Sequence, residues 1–85
     1  MMFDETATYS PIRRGVTFEF EDQDGLPCVG WVSLDALEVL ADKRLSDDQA
    51  LDAYQHHYVR IHAIVEKKIT ASQGCRVLVE DIYGW

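Results

Sequence analysis

Eighty-five residues, 47% of them hydrophobic, with a net charge of −7, describe one acidic globular domain with no room for a second core. The hydrophobic fraction excludes a disordered chain. Arg13-Arg14 and Lys67-Lys68 fall short of the basic footprint that a nucleic-acid binder needs, so no nucleic-acid partner is expected.

The charge is uneven. Residues 1–52 hold twelve acids and four bases, while residues 53–85 hold three acids and four bases. The start, Met1-Met2-Phe3-Asp4-Glu5, has neither the positive nor the apolar region of a signal peptide. No apolar run approaches the roughly 18 residues of a membrane span, so no membrane partner is expected. Cys28 and Cys75 are too few for a disulfide scaffold. These features place the chain in a reducing cytoplasm as an expectation.

Residues 1–12 read as a loosely ordered terminus, with Met1–Phe3 able to add a short strand and Thr6 to Pro11 as loop. Residues 14–21 alternate: Val16, Phe18 and Phe20 point one way, and Thr17, Glu19 and Glu21 the other. That is a half-buried strand. Asp24-Gly25 signals a two-residue hairpin turn, and residues 26–32 supply the return strand. This turn would set Gln23 against Leu26, Phe20 against Val29, Phe18 against Trp31 and Val16 against Ser33. The inner face would then be Val16, Phe18, Phe20, Val29 and Trp31.

Ser33 suits an N-cap, and Leu34, Leu37, Val39, Leu40 and Ala41 give a short helix ending near residues 42–44. A long helix follows over residues 46–72. Ser46-Asp47-Asp48-Gln49 is a capping box at its start, and two aspartates sit on the positive end of its dipole. Ala50, Leu51, Tyr54, Tyr58, Ile61, Val65 and Ile69 recur at steps of three and four and form one apolar face. At helical rise the whole helix spans roughly 39 Å. A domain of this size is only about 26 Å across, so one end is expected to overhang. Gly74 is the expected left-handed residue after the helix. Residues 75–81 read as a third strand, and residues 82–85 as a tail. The whole is an α+β fold: a small antiparallel-type sheet, in the order β-β-α-α-β, with a short and a long helix on one face.

Gly15-Val16-Thr17-Phe18, Asp24-Gly25 and Val32-Ser33-Leu34-Asp35-Ala36-Leu37 form an ordered set. Tyr54, His56-His57 to Ile61, Gly74, Val77, Val79 and Asp81 extend it. Over residues 15–82 the set resembles the YrdB-like family of small uncharacterised bacterial proteins, a domain-of-unknown-function family. The resemblance implies a compact cytoplasmic fold. It implies no catalytic residue, cofactor or substrate.

Candidate chemistry is sparse. His56, His57 and His62 lack the i, i+4 spacing that brings two rings to one side of a helix, so no metal site is expected. Asp52–His56 and His62–Glu66 do have that spacing and read as surface pairs. Cys28, in a strand beside Glu19 and Glu21, has no activating neighbour, and Cys75 has only Arg76 next to it. Glu19, Glu21, Asp22 and Asp24 lack the spacing of a calcium loop. No catalytic residue and no cofactor are therefore assigned.

The sequence points to a non-enzymatic interaction module that self-associates as a homodimer or binds another protein. Its candidate interface is Ile61, Ile64, Val65 and Ile69, at the overhanging end of the helix. The alternative is a small-ligand binder or minor enzyme, with a pocket between hairpin and helices around Trp31 and His57.

Overall fold

A computed structural model describes residues 4–22 and 24–84. The expected strand at Met1–Phe3, the Gln23–Leu26 pairing and the last tail residue, Trp85, lie outside the described residues. Chain order is β1 (Thr8–Ser10), β2 (Gly15–Glu21), β3 (Pro27–Ser33), α1 (Leu34–Ala41), α2 (Asp47–Thr70), β4 (Arg76–Val77) and α3 (Val79–Gly84). The four strands lie side by side in sequence order. β1–β2 and β2–β3 are antiparallel, and β3–β4 is parallel. The α+β architecture is as expected; the sheet is mixed and has one strand more.

β2 faces as its alternation dictates, with Val16 and Phe18 buried. β3 does not. Phe18 lies opposite Gly30, Phe20 opposite Cys28 and Val16 opposite Val32. The expected register is therefore off by one residue, which sends Trp31 and Val29 to the outer face; Val29 is 61% exposed. The turn is the reason. A type I′ turn needs two residues of positive φ, and here Gly25 has φ +77° without Asp24 sharing it. The ladder closes instead between Asp22 and Leu26, whose N–H and C=O meet at 3.0 Å. The Asp22 carboxylate accepts the N–H groups of Asp24 and Leu26, each at 2.9 Å. Gly30 makes the inner face work. A Cβ there would lie 2.6 Å from the Phe18 ring, so glycine lets that ring settle on the strand. Trp31 is half-buried on the outer face, with Arg13 at 5.7 Å and Arg76 at 5.2 Å from its ring centroid.

Ser33 caps α1 as expected, its hydroxyl accepting the Ala36 N–H at 3.0 Å. At the start of α2 the Ser46 N–H donates to Gln49 Oε1 at 3.1 Å. α1 and α2 end alike. Asp42 (φ 57°) and Ser72 (φ 60°) are left-handed, and the next residue's N–H reaches back to Glu38 and Lys68 respectively. Both are Schellman closures. Ser72, two residues before the expected Gly74, takes that role; Gly74 is also at positive φ.

α2 is about 36 Å long at helical rise, and the longest dimension of the molecule is 35 Å. The helix therefore spans the longest dimension of the molecule. Its inner face buries Ala50, Ala53, Tyr54, Ile61, Ile64 and Val65. The C-terminal segment supplies part of the cover. Instead of a strand over residues 75–81 and a tail, it forms the two-residue β4 and then α3, which buries Asp81 and Ile82. Asp81 decides this. Its carboxylate accepts the Leu78 N–H at 2.9 Å, three residues back, capping the start of α3.

Candidate functional site

The residues expected to act together are kept apart. Ile61, Ile64 and Val65, expected as an interface, lie in the core of the single chain, and Ile69 is half-buried against it. That corrects their expected exposure: the stripe is buried against the chain's own core. Trp31 and His57 do not share a pocket. The register puts Trp31 in a hollow of about 610 Å³ beside Arg13, Arg14 and the start of α1. His57 lines a different hollow of about 270 Å³, between the end of α1 and α2. Burial, then His56 and Arg60, push the His57 imidazole below its ordinary pKa. His56 is exposed and 3.8 Å from Asp52. The Cys28 thiol is pushed up by desolvation, by Asp22 and by Cys75, which disfavours the thiolate. Among the described residues no three of His, Cys, Asp and Glu group as metal ligands.

Two polar clusters were not foreseen. In the first, the chain start lies across α2. Asp4 exchanges hydrogen bonds with Gln55: its N–H donates to Oε1 at 2.9 Å, and its C=O accepts from Nε2 at 2.8 Å. The Asp4 carboxylate accepts the Tyr54 hydroxyl and, at 2.6 Å, the Thr6 hydroxyl. Tyr54 is fully buried, and its oxygen lies 2.7 Å from His62 Nε2. A phenol has one proton to give, and Asp4 takes it, so His62 must donate from Nε2. The His62 ring stacks on Phe18 at 4.9 Å.

Burial pushes the Asp4 carboxyl up, but hydrogen bonds from Thr6 and Tyr54, together with His62, outweigh it and hold the group below 3.8. Burial pushes His62 down, only partly offset by Asp4, and burial with Asp4 pushes the Tyr54 phenol well above 10. At neutral pH the trio is thus carboxylate, phenol and neutral imidazole. The Nε2 lone pair is not free to take a proton, so the cluster is a clasp holding the chain start to α2.

The second cluster is a buried ion pair. Lys68 and Asp81 are 6% and 8% exposed, and Lys68 Nζ lies 2.8 Å from Asp81 Oδ2. Lys68 also donates to the Arg76 carbonyl. It joins the end of α2 to β4 and α3. Lys67-Lys68 carries no sign of it in sequence, because only the helical position of Lys68, on the stripe side, separates it from an exposed neighbour.

The concave feature that remains is a groove of about 710 Å³ between the end of β2 and the last turns of α2. Phe20, Ala63, Ile69 and Ala71 give it apolar walls, and Asp22, Glu66 and Lys67 stand among its polar residues. Ala63 and Ala71 leave the space that larger residues would fill, and Phe20 and Ile69 are consequently only half-buried. A pocket between hairpin and helix was expected. It is built from these residues instead of Trp31 and His57; of them, Phe20 was expected on the inner face of the hairpin and Ile69 in the interface.

The fold and groove define a small α+β domain with an open hairpin–helix groove. Its fold is similar to the crystal structure of a protein of unknown function from the DUF1488 family of Shewanella loihica PV-4. The TM-score is 0.74, with 23% identity over 93% of this chain and 90% of that one. This likeness is one of fold. No protein-family model matches the chain, and no curated protein does. Among the described residues no helix is long and apolar enough to cross a membrane.

Proposed function

We propose that the protein is a non-enzymatic binding module whose hairpin–helix groove takes a small apolar ligand. The groove carries this reading. Its volume falls in the usual range for ligand sites, roughly 300–1,000 Å³, and its apolar walls with a few polar groups have the usual make-up. The clasp around His62 adjoins Phe20, the two rings lying 6.5 Å apart. Kinship with the YrdB-like proteins is part of this proposal and adds no ligand to it. Self-association draws no support from α2, whose apolar stripe is taken up by the fold.

Ala63→Phe tests the reading, because residue 63 is exposed on α2 and a larger side chain there fills the groove. A neutral apolar probe, 1-octanol, should bind the wild-type protein saturably in titration calorimetry and bind the variant at least tenfold more weakly. Equal binding to both would place the probe elsewhere and refute the groove.

A further inference from the structure

We infer that the groove selects a ligand with an apolar body and a protonated amine; this rests on the reading of the groove just given. The signs of the charges around it carry the argument. Asp22 stands at its hairpin end and Glu66 on its helix wall. Asp22 and Asp24 also line an adjoining hollow with Ile69 and Thr70, so acids approach from both elements. Lys67 is the one cation among the groove residues. Among the described residues neither Asp24 nor Glu66 has a cation within 4.0 Å. Asp22 accepts two turn amides yet keeps its charge facing the same end.

The backbone adds to this field. Ile69, Thr70 and Ala71 are the end of α2, where the helix dipole presents its negative pole. An ammonium placed between the hairpin tip and Glu66 therefore meets carboxylates on two sides and a helix C-terminus, while its apolar body lies on Phe20, Ala63 and Ile69. A ligand carboxylate in the same place would meet like charge. The potential and the apolar walls together specify an amphipathic cation.

A matched eight-carbon series separates head group from tail: octylamine, 1-octanol and octanoate, titrated calorimetrically at pH 7 and low ionic strength. Octylamine should bind about tenfold more tightly than octanol, and octanoate more weakly than octanol. The preference should narrow in 0.5 M salt. In the double variant Glu66→Gln/Asp24→Asn the amine-to-alcohol ratio should fall toward one. Equal affinities for amine and alcohol in the wild type, or an unchanged ratio in the double variant, would overturn the cation selectivity and leave the apolar groove standing. Loss of saturable binding for all three probes, or equal binding by Ala63→Phe, would instead overturn the groove itself.

Discussion

Replacing Asp81 by alanine removes the carboxylate paired with the buried Lys68 ammonium, a residue itself 6% exposed. The Arg76 carbonyl stays as an acceptor but cannot neutralise it. Breaking a buried pair from one side costs about 3–5 kcal/mol. The Leu78 N–H also loses its acceptor, worth about 1 kcal/mol. At roughly 0.05–0.15 kcal/mol per residue the whole domain has about 4–13 kcal/mol of stability, so Asp81→Ala should lie near the edge of folding. The double substitution Lys68→Met/Asp81→Leu fills the same space without burying charge and should recover most of the loss. Urea unfolding followed by far-ultraviolet circular dichroism measures both. A loss below about 0.5 kcal/mol in Asp81→Ala, or a double variant as unstable as the single one, would refute the reasoning.

Stability should fall as pH is lowered through about 6.5. The folded protein holds His62, and more weakly His57, below the ordinary imidazole pKa, so the unfolded chain takes up protons first. His62→Gln should flatten the dependence of the urea midpoint between pH 7.5 and 5.5, and an unchanged slope would exclude His62 as its source. Gly30→Ala should cost about 2 kcal/mol by driving a methyl into the buried Phe18 ring. An unaltered urea midpoint would mean that Gly30 faces water and that the two-residue-turn register is right after all.

What could be read directly from the residues was local and periodic. The alternation of Val16, Phe18 and Phe20 set the faces of β2, and the three-and-four spacing from Ala50 to Ile69 set the buried side of α2. The return strand failed because its own pattern was ambiguous. Cys28, Val29, Gly30, Trp31 and Val32 offer apolar residues to both faces, so the turn alone had to decide the register. The Asp22 carboxylate there favours closure at Leu26, which an Asp-Gly pair does not announce. The terminal segments failed for a different reason. Asp4 finds Gln55 and Tyr54 some fifty residues away, and Asp81 finds Lys68 across a chain reversal. No local propensity encodes such partners. Residues 75–81 also look like strand because Val77 and Val79 share one face and Arg76 and Glu80 the other, with Leu78 alone breaking the alternation. The groove was half visible: hairpin against helix was foreseen, but its emptiness depends on Ala63 and Ala71, small residues that signal nothing alone.

The strand lengths protect the protein against sticking to itself. β2 and β3, seven residues each, lie inside the sheet, and the strands left at its margins, β1 and β4, have three and two. A long open margin is what recruits another chain into amyloid-like stacking, and short flanking strands deny it a template. On one side the short strand is held by its ladder to β3, by the buried Val77 and by the bonds of Lys68. Cys75, Arg76 and Val77 lie along β3, with the Cys75 carbonyl accepting the Trp31 N–H at 3.1 Å, and Lys68 holds the segment there through Arg76 and Asp81. Damage to that pair thus does more than loosen the domain. It frees the Trp31–Val32 stretch of the β3 margin, which β4 pairs, as a template for another strand.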